Sequence, residues 1–258
     1  MLSLALAALI AVGCHPESRE AMRLRDVCQA GDPAACQDLG ERVASGRHIL
    51  RDDAQAAALF EQSCAGGISG GCARLGIMYF EGTGVARDTT RAITLWTVGC
   101  DGGAAIGCTR LGLAYQDGRG VTQDILRAAG LLQQGCTGED LRGCAYLGQL
   151  HLTGAVAVPD MGLAAELLQR SCDGDVAIGC SGLAQLHLDG IVVAQDASRA
   201  AQLWRRACNS RVAVACARLG DQYLSGNGVD QDLSRGVALR SQACRWGYAE
   251  ACPTQGRT

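Results

Sequence analysis

Fourteen of the fifteen cysteines in this 258-residue chain form seven pairs of C-x7-C spacing: Cys28/Cys36, Cys64/Cys72, Cys100/Cys108, Cys136/Cys144, Cys172/Cys180, Cys208/Cys216 and Cys244/Cys252. Each pair is displaced from the last by 36 residues. Disulfides, zinc ligation and free core thiols are the chemistries open to such a set. Zinc fits poorly, because structural sites favour C-x2-4-C spacing and need four ligands. For disulfides, periodicity leaves two regular pairings, C-x7-C and C-x27-C, although connectivity cannot in general be deduced from sequence. The second would orphan Cys28 and Cys252, so seven C-x7-C bridges are expected. In the chain-entropy picture each closed segment contributes about 2 to 3 kcal/mol, and seven together at most about 18 kcal/mol. A typical net stability is about 5 to 15 kcal/mol. The bridges are therefore expected to hold together a chain in which aromatic residues make up 4%.

Other reactive residue types do not assemble into a catalytic motif. All 23 basic residues are arginine, which excludes an S-x-x-K serine motif, a P-loop lysine and a Schiff base. Gly67-Ile68-Ser69-Gly70-Gly71 matches G-x-S-x-G, but a nucleophile elbow needs a strand before the serine, and this string lies in the turn between Cys64 and Cys72. His15, His48, His151 and His187 form no H-E-x-x-H. The last two stand 36 residues apart at a core-facing position and read as stacked replacements for tyrosine. The G-x-G-V turns lack the further glycine and preceding strand of a dinucleotide site. No catalytic residue, metal site or cofactor is expected.

The elements that position the cysteines follow from the same lattice. Leu39, Leu75, Leu111, Leu147, Leu183 and Leu219 stand three residues after the second cysteine of a pair, and Gly40, Gly76, Gly112, Gly148 and Gly220 follow them. In one unit, Cys72, Leu75 and Tyr79 share a helical face. Gly82-Thr83-Gly84 stops that helix. A second helix opens near Asp88 or Thr89 and places Ala92, Leu95, Trp96 and Cys100 at helical spacing. No stretch alternates with period two. A fixed period of this length means one supersecondary unit stacked repeatedly, so one continuous domain of helix pairs is expected. The net charge of −3, without basic clusters, argues against a nucleic-acid partner.

Persistent disulfides require an oxidising compartment. Residues 1–13, MLSLALAALIAVG, are too short an apolar run for a membrane span and fit a signal h-region. Cys14 stands outside the lattice, and Ala11-Val12-Gly13-Cys14 resembles a bacterial lipobox, although alanine stands at the third position before the cysteine and no Arg or Lys precedes the apolar run. The expected organisation is a lipoprotein-type signal at 1–13, a lipidated Cys14 and tether at 14–19, a repeat array at 20–252 with six full helix pairs and terminal half units, and a tail at 253–258. The chain would be an exported bacterial envelope protein, anchored in the outer membrane and facing the periplasm or the surface; a soluble periplasmic or secreted form is the alternative.

The repeated G-C-x-x-L-G-x-x-Y-x-x-G-x-G-V-x-x-D pattern, as from Gly107 to Asp124, resembles Sel1-like repeats, relatives of the tetratricopeptide repeat. More narrowly it resembles the cysteine-rich secreted bacterial members, with the C-x7-C bridge. The resemblance implies an all-α, right-handed α-solenoid and an adaptor that holds a protein or peptide on its concave face, in a monomer. Some cysteine-rich members are described as binding or slowly hydrolysing β-lactams, which supplies an alternative function; a structural spacer is a third. His151 and His187 replace Tyr79, Tyr115 and Tyr223, and the turns at Gly154 and Gly190 lack the second glycine, so a different turn shape is expected there. The helix face opposite Cys, Leu and Tyr carries Arg74, Arg110, Tyr146 and Arg218 in one row, Ile77, Leu113, Gln149 and Gln185 in another, Met78, Leu150 and Leu186 beside it, and Glu81, Asp117 and Asp189 at the edge. An Arg row over a partly apolar floor suits an extended peptide or an acidic segment.

Overall fold

The computed structural model describes residues 19–252. The signal segment, Cys14 and the tail after Cys252 lie outside the described residues. Among the described residues there are thirteen α-helices, one 3-10 turn at Ala249–Ala251 and no strand. The helices are α1 (Arg19–Gln29), α2 (Pro33–Ser45), α3 (Asp53–Ala65), α4 (Ser69–Glu81), α5 (Thr89–Asp101), α6 (Ala105–Asp117), α7 (Ile125–Thr137), α8 (Leu141–Leu152), α9 (Met161–Asp173), α10 (Ala177–Asp189), α11 (Ala197–Asn209), α12 (Ala213–Ser225) and α13 (Leu233–Arg245). Odd-numbered helices end beside the first cysteine of a pair, and even-numbered ones open just before the second.

Two compact units follow one another, one ending at Val98 and the other starting at Gly99. In the first, α2 packs between α1 and α3, and α3 packs on α4. In the second, every helix from α6 to α13 packs on its successor, and α8 also touches α6 and α10.

All seven C-x7-C bridges are formed, with Cα–Cα distances of 4.5 to 4.8 Å. The first six each join an odd-numbered helix to the one that follows it, and Cys244–Cys252 ties α13 to the end of the 3-10 turn. Cys144, Cys180 and Cys216 are wholly buried. Their sulfurs lie 3.6 to 3.8 Å from the backbone carbonyls of Cys136, Cys172 and Cys208 respectively. The second cysteine of these pairs, Cys216 included, is therefore a core residue that staples two helices and presents no surface to a partner. Its burial follows from its place in the first turn of an even-numbered helix, on the face that the lattice leucine also occupies.

Local chemistry sets the helix ends. Asp52, Asp88, Asp124, Asp160, Asp196 and Asp232 each accept a hydrogen bond from the backbone N–H three residues on, at 2.8 to 2.9 Å, and so cap the odd-numbered helices. Even-numbered helices close on a left-handed glycine at Gly46, Gly82, Gly118, Gly190 and Gly226.

The glycine after each lattice leucine has a packing role. A Cβ at Gly40, Gly76, Gly112 or Gly148 would come within 2.7 to 3.0 Å of Phe60, Trp96, Leu132 or Leu168 respectively. These large side chains, all buried, lie directly on the backbone of the preceding helix. Trp204 occupies the same slot one repeat later. At the next repeat the slot holds Arg240, which pairs with Asp221 and donates to the Glu250 carbonyl at 2.9 Å.

Three turns lack a second glycine, at His48, Val156 and Val192, and they diverge in different ways: His48 keeps the left-handed conformation at φ 59°. Gly84 and Gly228 adopt φ of 71° and 75°. Val192 keeps that left-handed conformation at φ 56°, which is unfavourable for a β-branched residue. Val156 abandons it, and the Asp160 N–H, whose counterparts reach a backbone carbonyl, donates instead to His151 Nδ1 at 3.1 Å. His187 Nδ1 lies 3.4 Å from the Ala194 carbonyl. Both histidines are half-buried turn fasteners, which corrects their placement as core residues. Tyr79 and Tyr115 are likewise half-buried, each covered by a guanidinium, Arg91 and Arg127, at 4.3 Å from the ring centroid.

Candidate functional site

In the first unit, α1 to α4 enclose an open cavity of about 660 Å³. Its floor is apolar, made by Leu24 of α1, Phe60 of α3, and Ile77 and Met78 of α4. Around it stand five carboxylates, Glu20, Asp38, Glu41, Asp53 and Glu81, and four guanidiniums, Arg42, Arg47, Arg51 and Arg74. The helical period explains the grouping: on α2 and α4, positions two, five, six and nine after the cysteine turn to one side, giving Asp38, Glu41, Arg42 and Ser45 on one helix and Arg74, Ile77, Met78 and Glu81 on the other.

Most of the rim charge is internally neutralised. Arg42 pairs with Glu20 at 2.6 Å and Arg74 with Glu41 at 3.2 Å. Arg51 forks onto Asp53 at 2.9 and 3.0 Å, and that hydrogen bond holds the Asp53 carboxyl below its usual range. Arg74 is therefore not a free cation awaiting an acidic segment, because its guanidinium is already engaged by Glu41. With one more acid than base, the cavity carries no excess positive charge to select such a partner.

Of the residues expected to bind a partner, Arg74, Ile77 and Met78 come together here. Met78 is 6% exposed and belongs to the core of the first unit, and Leu150 and Leu186 are buried in the second. Position six lies about 90° from the Cys–Leu–Tyr line, within the reach of an apolar helical face, so these side chains turn inward. In the second unit, Arg110 acts on the half-buried Tyr146, and Leu113 and Tyr146 pack against one core. Burial raises the Tyr146 pKa, and Arg110 and Arg142 oppose that rise. Arg218 is exposed near Tyr248, away from that pair. Gln185 donates to both oxygens of Asp189 at 2.9 Å.

Asp38, Glu41 and Arg42 escaped the sequence reading although they occupy the same lattice positions one repeat earlier, and Glu20, Leu24, Phe60 and Arg51 come from odd-numbered helices or turns that a single-face argument does not reach. Ser69 opens α4, and among the described residues no hydrogen bond joins it to a histidine. No cluster of histidine, cysteine, aspartate or glutamate suited to a metal occurs among the described residues.

The family model described as Sel1 repeat matches residues 33–68, 69–103, 105–140, 141–176, 177–211 and 213–247. No curated protein matches the chain. Among solved structures, the protective antigen c5321 of uropathogenic Escherichia coli, displaying an SLR fold, is 24% identical with a TM-score of 0.67, over 90% of this chain and 50% of its own. This chain thus spans about half the length of that structure. A Sel1 repeat protein from Oxalobacter formigenes is 18% identical with a TM-score of 0.70, over 87% of this chain and 99% of its own. Helicobacter pylori cysteine rich protein B is 25% identical with a TM-score of 0.40, over 52% of this chain and 97% of its own.

Proposed function

Because the chain belongs to the Sel1 repeat family, whose members are generally protein-interaction scaffolds, we propose that it is a non-enzymatic scaffold holding an extended peptide in the cavity of its first unit. The observation that carries this reading is the cavity itself: its volume lies in the range of about 300 to 1,000 Å³ typical of ligand pockets, with an apolar floor and a few convergent polar groups. An aliphatic side chain of the peptide would rest on Leu24, Phe60 and Ile77. Flanking polar groups would exchange partners with the Arg74–Glu41 and Arg42–Glu20 pairs, which favours a segment of mixed charge over an acidic one.

The scaffold would work outside the cytoplasm, since seven bridges persist where the surroundings are oxidising. Anchoring in a bacterial envelope through Cys14 is part of the same proposal; no described helix is long and apolar enough to cross a membrane.

Selection of peptides from a displayed random library against the purified oxidised protein, followed by calorimetry, tests the reading. Ile77→Asp, at a half-exposed position, should weaken the selected peptide at least tenfold, about 1.4 kcal/mol, with the melting temperature unchanged. Arg74→Ala should weaken it less. Equal affinity for parent and both variants would move the binding surface elsewhere, and a library that yields no binder would count against a peptide scaffold.

A further inference from the structure

One lattice position, two residues before the first cysteine of a pair, lies beside the bridge of the preceding repeat, and its residue type varies. The Gln62 carboxamide lies 3.6 Å from both sulfurs of Cys28–Cys36, and that of Gln134 lies 3.3 and 3.7 Å from the sulfurs of Cys100–Cys108. In the next two repeats the position carries a cation. Arg170 Nη1 points to Cys136 Sγ at 4.0 Å, and Arg206 Nη1 donates to Cys172 Sγ at 3.5 Å. Val98 and Gln242 fill the remaining places. Arg206 also pairs with the exposed Asp175, whereas Arg170 has no carboxylate within ion-pair distance among the described residues.

A disulfide is neutral, and its opening creates thiolate. A guanidinium beside the sulfur stabilises that thiolate and so favours the reduced side of the equilibrium, while a neutral carboxamide contributes a dipole alone. Burial opposes thiolate in both cases. Cys136, Cys144, Cys172 and Cys180 are at most 1% exposed, Cys28, Cys36 and Cys108 at most 5%, and Cys100 9%. Among these four bridges the distinguishing feature is therefore the cation; two others, Cys64–Cys72 and Cys244–Cys252, differ from them in having half-buried cysteines.

We infer that Cys136–Cys144 and Cys172–Cys180 are thiol–disulfide exchange sites that a dithiol reductant opens before the Gln-flanked bridges Cys28–Cys36 and Cys100–Cys108. Once local opening parts α7 from α8 and uncovers the bridge, one thiolate of the reductant attacks Cys144 Sγ, the S–S bond breaks, and the electron pair leaves on Cys136 Sγ beside Arg170. The second thiol of the reductant then closes on the mixed disulfide and releases Cys144. The reductant is oxidised to its own disulfide, two electrons pass to the protein, one of its two protons ends on Cys144, and the other goes to solvent while Cys136 stays a thiolate paired with Arg170. Cys180 and Cys172 take the corresponding roles beside Arg206. Both bridges lie in the second unit, where they join α7 to α8 and α9 to α10. Partial reduction thus loosens that unit while Cys28–Cys36 still holds α1 to α2 beside the cavity.

The test equilibrates the oxidised full-length protein in dithiothreitol buffers of graded oxidised-to-reduced ratio, quenches with acid, alkylates, and measures the reduced fraction of each pair by mass spectrometry. The two Arg-flanked bridges should be half-reduced at a ratio at least tenfold less reducing than Cys28–Cys36 and Cys100–Cys108, equivalent to about 30 mV. Arg170→Gln should bring Cys136–Cys144 into line with the Gln-flanked bridges and leave Cys172–Cys180 where it was; Arg206→Gln should do the reverse. Should either variant fail to fold, Asp175→Asn keeps the test open: it alters an exposed carboxylate, frees Arg206, and should make Cys172–Cys180 still easier to reduce. Reduction of all seven bridges in one transition, or variants that leave their own bridge unmoved, would overturn the inference.

Discussion

Trp96 rests on the backbone of α4 at Gly76, so closely that a Cβ there would come 2.7 Å from the indole Cδ1 and Nε1. Gly130 offers the opposite case, a glycine inside α7 with nothing within 4 Å of its absent side chain. Gly76→Ala should cost about 1 to 3 kcal/mol by overpacking. Gly130→Ala should stabilise by about 0.5 to 1 kcal/mol, because it removes backbone freedom from the unfolded chain. Denaturant unfolding of both variants checks the pair; a Gly76→Ala protein as stable as the parent would show that the indole has room to move.

The second-glycine turns make an asymmetric prediction. Val192→Gly should stabilise by about 1 kcal/mol, since a left-handed β-branched residue is strained. Gly84→Val should destabilise by more than that, because a Cβ at Gly84 would lie 2.1 Å from the Asp53 carbonyl oxygen. Thermal melting of the two single variants decides it. Equal and opposite shifts would mean that the packed backbone at Asp53 yields.

Arg110 and Tyr146 can be tested as neighbours by alkaline titration of the phenol followed by absorbance. Burial already raises the Tyr146 pKa and Arg110 pulls it down, so Arg110→Ala should move its titration to higher pH. The sign for stability follows: a folded-state pKa raised above the unfolded one means that the folded state holds its proton more tightly. Stability from this group is present below the unfolded value and is lost as pH rises towards the folded one. An unchanged titration would separate the two side chains.

Cys14 yields a prediction about maturation. If it is the lipid attachment point, Cys14→Ser should block processing and membrane attachment in a bacterial host, as seen by metabolic labelling with palmitate and by fractionation. Normal processing of the variant would remove the anchor from the proposed function.

The helices and bridges were legible in the sequence because each rests on a period that six repeats enforce together: the capping aspartates, the lattice leucines and the cysteines keep one phase. The cavity was legible in part. Arg74 and Ile77 followed from helical angle, yet their facing row on α2 replaces Arg, Ile and Met by Asp38, Glu41 and Arg42, so similarity of residue type gave no cue where lattice position would have done. Phe60 was hidden because a core position of α3 also forms part of the cavity floor. The stacking of Arg91, Arg127 and Arg235 on Tyr79, Tyr115 and Tyr223 had a signal as well, a constant separation of twelve residues, which fails at Val43, where the partner place holds Gln55.

Arg240 also bears on how such a chain can change length by gene duplication. A hairpin copied into the interior of the second unit would present Leu132, Leu168 or Trp204 to its new neighbour and meet a glycine or alanine shaped to receive it. A hairpin joined directly after α13 would instead seal Arg240 and Asp221, now 31% and 38% exposed at their side chains, away from water. Desolvating such a pair costs several kcal/mol per ion before any attraction is recovered. Lengthening is therefore cheapest from within, where the receiving glycine or alanine is already in place.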